Sequence, residues 1–358
     1  MSKQFKLCVL HIGTEKTGST SIQAFLRQNR AALERDGFFY TDTSIGSQWE
    51  FVTLVHPHPW RTDLGRIFNI SDEQSKQQFC EMFLANFRKQ ISQSRKASTL
   101  LISSEHFHSR LVTPSMIEDL KSTLDPFVED FRILVYFRRQ DELAVGQFNT
   151  KIKGGFRGTQ IPPRDQTYYD YDALVSRWAS VFGLDAIKAG LYRPLAQLEN
   201  GLLTDFCRNA GINFDNKVIP LWKNQSLSGS GLRFIQVLKQ IYKDQTIVMS
   251  ESDFRDLAEL STRHNAGRFQ ALSKSEARSF YAKFSEGNRA VRDKLFPDYP
   301  ASLFDEDFSN YSTEAEALPV SYEEAVIQML KLWKLSQFPF KKRSLIQKLK
   351  IFLKTGRW

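Results

Sequence analysis

The chain has 358 residues, of which 41% are hydrophobic and 13% aromatic, and it carries a formal net charge of +9. This composition excludes a disordered chain, and the length fits one large α/β domain or two small ones. The basic balance favours an anionic partner, and a charged small-molecule donor, an acidic glycan, nucleic acid and an anionic membrane are all candidates.

The three cysteines predict no disulfide framework. Cys8, Cys80 and Cys207 are odd in number and far apart, which favours reduced thiols and shows no zinc-ligand spacing. The first residues run directly into an apolar strand without a signal peptide, and no apolar run approaches the ~18 residues that span a bilayer. We therefore expect a cytoplasmic protein.

Residues 7–24 predict a strand, a tight loop and a helix. An apolar strand runs from Leu7 to Ile12, a polar loop from Gly13 to Gly18, and a helix follows that ends before Gly37. Such a junction directs free backbone N–H groups and the positive end of the helix dipole at one point, which suits a phosphate or sulfate. Lys16 adds a full charge to this loop, and hydroxyl donors come from Thr17, Ser19, Thr20 and Ser21.

The loop differs from a nucleoside triphosphate loop. In the pattern G-x-x-x-x-G-K-[ST], the lysine directly follows the second glycine. Gly13 and Gly18 have the right spacing, but Ser19 occupies the lysine position and the lysine lies inside the loop at Lys16.

Two further strands and a further helix are predicted between residues 37 and 104, with a long connection after the first of these strands. Residues 37–40 read as a short strand, and residues 43–70, which contain Trp49 and Trp60, read as a surface excursion that serves as a lid or acceptor-binding loop. A capping box at residues 71–74 opens a helix. Its predicted core face consists of Phe79, Met82, Phe83, Phe87 and Ile91. The second strand covers residues 99–104.

Strands and helices then alternate as far as residue 210. Helices are predicted over 113–124, from about 141, over 171–182 and over 202–210, and strands over 131–137 and 187–192. This alternation indicates βαβ units and a mainly parallel sheet. Helices over 226–243, 252–263 and 273–294 complete a domain of residues 1–300, and residues 301–358 form a C-terminal extension.

Three polar clusters follow three different strands. Ligands of an open parallel sheet bind outside the carboxyl ends of its strands, and the clusters 13–21, 103–108 and 138–149 all lie there. In the third cluster, Arg138 offers a planar fork that matches phosphate oxygens and predicts a second anion subsite.

The run Lys16-Thr17-Gly18-Ser19-Thr20 resembles the 5′-phosphosulfate loop of sulfotransferases, which use the donor PAPS (3′-phosphoadenosine-5′-phosphosulfate). The resemblance implies a P-loop-type fold of three layers with a central parallel sheet, no metal, and a 5′-phosphate bound by Thr17, Gly18, Ser19, Thr20 and Ser21. Lys16 would then stabilise negative charge on the bridging oxygen.

Arg138 is similar to the arginine of the 3′-phosphate site in that family. The family's serine, eight residues further on, is Gly146 here, so either Gln147, Asn149 or Thr150 would replace it or the donor would be held less tightly. Residues 224–227 and 285–289 resemble segments late in bacterial sulfotransferase domains, and the resemblance covers about residues 5–300.

Sulfuryl transfer to a hydroxyl needs a base for the acceptor proton. Glu105 is the first candidate, and His106 and His108 are its competitors. Strand-like alternation would point Glu105 and His106 to opposite sides, so that only one reaches the pocket. The alternative is a structural carboxylate that caps the next element or pairs with an arginine.

The remaining histidines and the C-terminus leave alternatives open. The pairs His56/His58 and His106/His108 lack further ligands nearby, so we expect no metal. Residues 338–358 hold seven Lys or Arg and no acidic residue. They predict a basic amphipathic helix that contacts a membrane surface or packs on the domain.

The first hypothesis is a sulfotransferase that moves a sulfuryl group from PAPS to a hydroxyl acceptor, a carbohydrate such as a polysaccharide or glycolipid precursor, with no nucleic-acid partner. The alternatives are a P-loop kinase or other nucleotide-binding enzyme, and a non-enzymatic membrane-associated protein that binds polyanions. The sequence does not determine the oligomeric state.

Overall fold

The structure is a computed structural model that describes residues 3–94, 96–156, 158, 160–161, 165–220, 226–243, 250–299, 302–318, 325 and 328–329. The basic segment 338–358 lies outside the described residues, as do Asn224 and Gln225, so the membrane contact stays a prediction.

Five parallel strands form one sheet in the order β2-β3-β1-β4-β5. The strands are β1 (Phe5–His11), β2 (Phe38–Tyr40), β3 (Thr99–Ser103), β4 (Val128–Phe137) and β5 (Ile187–Leu191). At the end of β1, His11 pairs with Ser103 of β3 and with Leu134 of β4. The predicted α/β fold with a parallel central sheet is confirmed.

Helices connect and follow these strands. They are α1 (Ser19–Gln28), α2 (Arg30–Arg35), α3 (Trp49–Val55), α4 (Asp63–Phe68), α5 (Glu73–Gln93), α6 (His106–Arg110), α7 (Pro114–Leu124), α8 (Gln140–Lys153), α9 (Tyr171–Phe182), α10 (Tyr192–Gln197), α11 (Gly201–Ala210), α12 (Gly229–Lys243), α13 (Glu251–His264), α14 (Lys274–Ala282) and α15 (Ser285–Leu295). Short 3₁₀ turns cover Pro59–Arg61, Gln166–Tyr168 and Leu184–Ala186. Among the described residues, no helix combines the length and apolar character that crossing a bilayer requires.

Helices cover both faces of the sheet because successive strand residues point to opposite sides. On one face, the Phe131 ring lies 5.0 Å from Phe182, and the Phe137 ring 4.9 Å from Tyr171, both on α9. On the other face, Leu134 and Tyr136 belong to a buried cluster with side chains of α1 and α11. The sheet is therefore the middle of three layers.

The chain divides into two compact units. The first comprises residues 1–140, 164–222 and 283–306 and contains the whole sheet. The second comprises residues 141–163, 223–282 and 307–358, and its described core includes Phe148, Leu232 and Phe269. Within the second unit, the Tyr311 hydroxyl donates to the Asp141 carboxylate at 2.6 Å. The predicted boundary near residue 300 stays a prediction.

Residues 43–70 are not the surface excursion that the sequence suggested. They contain α3 and α4, and Phe51 and Val52 on α3 are fully buried. The prolines that favoured a loop, Pro57 and Pro59, lie between the two helices and separate them without unfolding the segment.

Two helix predictions also need correction. Met82, assigned to the core face of α5, is 74% exposed, whereas Phe87 and Ile91 in its last turns are buried. The predicted helix over 273–294 is two helices, α14 and α15, and the break falls where the chain passes from the second unit to the first at Lys283. A single continuous helix over these residues would have to pack its side chains into the hydrophobic cores of both units.

The three cysteines are free thiols, and Cys8 and Cys207 are buried.

Another buried titratable group is His11 at the end of β1. Its Nδ1 shares a 2.8 Å hydrogen bond with the Ser103 hydroxyl, and the rings of Tyr136 and Phe206 stand edge-on to it. Burial lowers the pKa of His11 from 6.5 to about 3.

This shift predicts a pH-dependent stability. Below pH 6.5 the unfolded chain protonates His11, while the folded chain keeps it neutral down to about pH 3. The free energy of unfolding therefore falls as the pH drops through this window, by up to about 1.4 kcal/mol per pH unit for this residue. Urea unfolding at several pH values should give a shallower slope for His11→Gln than for the wild type. His58→Gln, at an exposed histidine, is the matched control. Equal slopes for the wild type and His11→Gln would contradict the assignment.

Candidate active site

The loop after β1 lies at the centre of the sheet, where the strand order reverses between β1 and β4. Gly13, Lys16 and Gly18 have φ values of 97°, 63° and 81°, all in the left-handed region. Thr14 joins the loop to β4, because its N–H and its hydroxyl both donate to the Tyr136 carbonyl, at 2.9 and 3.0 Å. The backbone of the loop is thus fixed by hydrogen bonds within the first unit.

The N-terminus of α1 has no neutralising side chain. Its N-cap is Gly18, no side chain caps it, and its first turn holds no acidic residue. The first N–H groups of a helix have no partner within the helix, so the positive end of the dipole of α1 is presented to an anion.

The hydroxyls that were predicted to bind phosphate differ in placement. The Thr17 hydroxyl donates to the Thr14 carbonyl at 2.5 Å and holds the loop itself. Ser19 is buried, Ser21 is half-buried and Thr20 is exposed.

Arg138, the first residue after β4, reaches the same loop. Its guanidinium donates to the carbonyl of Lys16 at 3.0 Å and lies 5.3 Å from the Tyr192 ring centre. The Arg138 carbonyl accepts a hydrogen bond from the Tyr171 hydroxyl at 2.5 Å, which anchors its backbone. Two cationic residues from neighbouring strands therefore meet at one edge of the sheet.

The negative charges of two carboxylates favour the charged form of Lys16. Burial lowers the pKa of the Lys16 ammonium, the negative charges of Glu15 and Glu105 oppose that effect, and Arg138 adds to it. Lys16, Glu15, Glu105 and Arg138 thus form one electrostatic cluster.

Glu105 lies at the N-cap of α6, not on an extended strand. Its backbone is helical, with φ −68° and ψ −13°, and its Oε2 accepts a 2.7 Å hydrogen bond from the Gln23 amide. Oε1 of Glu105 lies 3.8 Å from Nε2 of His106. The expectation that Glu105 and His106 point to opposite sides is wrong, because β3 ends at Ser103 and the chain turns into a helix at once.

Glu15, to which we assigned no role from the sequence, contacts His106, Tyr168 and His108. Its Oε1 lies 3.6 Å from Nδ1 of His106, its Oε2 accepts from the Tyr168 hydroxyl at 2.6 Å, and its N–H points to Nδ1 of His108 at 3.5 Å. Burial opposes ionisation of this carboxyl, but the interactions with His106, His108 and Tyr168 keep its pKa well below the usual range. An acidic residue beside the lysine of an anion-binding loop was the signal in the sequence.

His108 contacts backbone groups with both ring nitrogens. Nδ1 faces the Glu15 N–H, and Nε2 lies 3.0 Å from the Tyr168 carbonyl. Since a carbonyl only accepts, Nε2 is the ring nitrogen that donates to Tyr168. These contacts indicate that His108 stabilises the backbone of the loop at Glu15.

Trp49 brings the segment 43–70 into the site. Its ring centre lies 3.9 Å from that of His106, and the Arg110 guanidinium lies 5.1 Å from the Trp49 ring. Arg110 in turn pairs with Asp63 at 2.8 Å. The helix that the sequence read as a loop therefore supplies an aromatic wall beside His106.

The residues that were predicted to replace the family's serine belong to the second unit. Gln147, Asn149 and Thr150 lie on α8 within the second unit, so a role for Gln147 in donor binding stays a prediction. Arg139 is buried and donates to the Asp305 carbonyl at 2.8 Å. In the described part of the chain, no group of three or more His, Cys, Asp or Glu is placed to hold a metal ion.

The packing of Gly18 gives a test of the loop. A Cβ at Gly18 would lie 2.4 Å from Cδ2 of Leu202, whereas one at Gly37, which also has a positive φ, would meet nothing closer than 3.8 Å. Gly37→Ala should therefore show only the backbone penalty, about 1 kcal/mol in urea unfolding. Gly18→Ala should lose more stability, by ~2–3 kcal/mol in total, because overpacking adds to that penalty. Equal losses in the two variants would mean that Leu202 does not pack against the loop.

No protein-family model matches this chain, and no curated protein matches it in sequence. Its structure is similar to that of a sulfotransferase from Alicyclobacillus acidocaldarius, with a TM-score of 0.40 and 14% identity, over 72% of this chain and 96% of that one. It is also similar to the sulfotransferase domain from the curacin biosynthetic pathway, with a TM-score of 0.34 and 10% identity, over 60% of this chain and 77% of that domain. Scores this low do not assign the chain to a family.

Proposed function

We propose that this protein is a sulfotransferase that moves a sulfuryl group from PAPS to a hydroxyl acceptor. The observation that carries the proposal is the 3.0 Å hydrogen bond from the Arg138 guanidinium to the Lys16 carbonyl. It brings together the two residues whose positions in the sequence resemble the two phosphate sites of one donor molecule.

The chemistry of the site fits a donor with two anionic ends. Lys16 and the uncapped N-terminus of α1 offer a charge and N–H groups to a 5′-phosphosulfate. Arg138 offers a guanidinium to a 3′-phosphate, for which its planar fork is suited. The donor supplies an activated S–O bond to a phosphate leaving group.

The residues of the chain serve the transfer in separate roles. As the acceptor oxygen bonds to sulfur and the S–O bond to the phosphate breaks, the electron pair of that bond leaves with the bisphosphate. Lys16 stabilises the negative charge that develops on the leaving oxygen. Glu105, held by Gln23 at 2.7 Å, takes the proton of the acceptor hydroxyl.

We propose a carbohydrate acceptor. Trp49 is half-buried beside His106, and Trp60, on the turn after α3, is half-buried as well. Aromatic rings near a catalytic group suit the apolar faces of sugar rings, and the net positive charge suits an acidic glycan.

Donor binding is tested with adenosine 3′,5′-bisphosphate, the product of the proposed reaction. At 100 times its Kd, this ligand should stabilise the protein by about 2.7 kcal/mol, which a thermal-shift assay detects. Lys16→Ala or Arg138→Ala should abolish the shift, and Lys6→Ala, at an exposed lysine of β1, should retain it. A larger shift with ATP–Mg²⁺ or with heparin would favour a kinase or a polyanion-binding protein and contradict the proposal.

The base is tested with Glu105→Gln. Since this change removes the proton acceptor but keeps the size of the side chain, it should leave bisphosphate binding intact and reduce sulfuryl transfer by about two to four powers of ten. Transfer from PAPS to a panel of oligosaccharides, and to water, measures the effect. Glu118→Gln, an exposed carboxylate on α7, is the matched control. Wild-type turnover in Glu105→Gln would exclude Glu105 as the base.

A further inference from the structure

Glu15 is anchored so firmly that it is suited to orient a neighbour. The Tyr168 hydroxyl donates to its Oε2 at 2.6 Å, and its backbone N–H points to His108. Oε1 is directed toward His106, at 3.6 Å from Nδ1. The contacts to Tyr168 and His108 fix the position of the carboxylate from which Oε1 reaches the imidazole.

His106 lies between two carboxylates. Nδ1 faces Glu15 at 3.6 Å, and Nε2 faces Glu105 at 3.8 Å. In the part of the chain that the structure describes, no atom hydrogen-bonds the buried Nδ1. Trp49 packs against the ring at 3.9 Å between centres and limits its rotation.

These distances are slightly longer than hydrogen bonds, and catalytic hydrogen bonds often tighten only when substrate binds. An ionised carboxylate is an acceptor only, so each carboxylate favours a proton on the ring nitrogen that it faces. Glu15 is the nearer of the two and is anchored by Tyr168, so the proton of the neutral imidazole lies on Nδ1. That tautomer leaves the lone pair of Nε2 directed toward Glu105.

We infer that Glu15 is a positioning residue, which holds His106 in the Nδ1–H tautomer so that Glu105 and His106 act together as the base. This inference rests on the proposed sulfuryl transfer. The acceptor O–H bond breaks as the new O–S bond forms, and the proton passes to the Glu105 carboxylate and from there to Nε2 of His106. The resulting imidazolium lies between the negative charges of Glu15 and Glu105, and the electron pair of the broken S–O bond leaves with the bisphosphate.

The variant Glu15→Gln separates this role from a merely structural one. The amide keeps the size of the side chain but removes the charge, and its NH₂ group favours the opposite tautomer by donating to Nδ1. In the wild type, ¹⁵N-histidine NMR of the full chain should show His106 protonated on Nδ1. In Glu15→Gln this signature should be lost, sulfuryl transfer from PAPS should fall about 10- to 1,000-fold, and the affinity for adenosine 3′,5′-bisphosphate should stay within about threefold.

Two further variants control the experiment. Tyr168→Phe removes the hydroxyl that anchors Oε2 of Glu15 and should shift the tautomer and the turnover in the same direction by a smaller amount. It also tests the inference if Glu15→Gln does not fold. Glu34→Gln makes the same chemical change on an exposed face of α2 and should leave the tautomer and the turnover unchanged.

The outcomes distinguish a failure of the inference about Glu15 from a failure of the proposed sulfotransferase function. If the bisphosphate binds in a Lys16-dependent manner but Glu15→Gln keeps the wild-type tautomer and turnover, the inference is overturned and the proposed function stands. If the wild type does not bind the bisphosphate, the proposed function fails and the inference fails with it.

Discussion

The hydrogen bond from Arg138 to the Lys16 carbonyl is the contact on which the site depends. Lys16 adopts a left-handed backbone conformation within the loop, and its carbonyl lies within 3.0 Å of a guanidinium from the neighbouring strand. Thr14 adds two hydrogen bonds from the same loop to the Tyr136 carbonyl on β4. The loop is therefore fixed at both its beginning and its middle by the end of β4 and the residue after it, more than a hundred positions later in the sequence.

Two nearby carboxylates help to stabilise the buried ammonium of Lys16 beside the Arg138 guanidinium. Burial and Arg138 both lower the pKa of the Lys16 ammonium, and Glu15 and Glu105 offset only part of that effect, so the pKa stays below its usual value. Glu15 stays ionised because His106, His108 and Tyr168 outweigh the cost of its burial. The site thus alternates cations and carboxylates around Lys16.

Local patterns in the sequence were sufficient for the sheet and for the loop. The positions of β1, β3, β4 and β5 followed from apolar runs, although β1 begins two residues and β4 three residues before the predicted start, and the glycines at 13 and 18 marked the turn. The patterns failed where tertiary contacts decide the outcome. Two prolines and two tryptophans resembled a loop at residues 43–70, but the apolar side chains between them are buried as α3. The pairing of Glu105 with His106 was missed because the change from strand to helix occurs within two residues. No local signal links Glu15 to Tyr168, which lies 153 positions away.

This long separation has a consequence for folding. The carboxylate of Glu15 contacts Tyr168, which lies 153 positions later in the sequence. The carbonyl of Lys16 contacts Arg138, which lies 122 positions later. Contacts between residues so far apart in the sequence are expected to form late, because the entropy of closing a long loop is lost before the contact stabilises the chain. A fragment that contains only β1, the loop and α1 would lack both constraints. The proposed affinity for an anion would therefore be a property of the completed sheet, acquired near the end of folding, which the glycine-bounded segment would not possess alone.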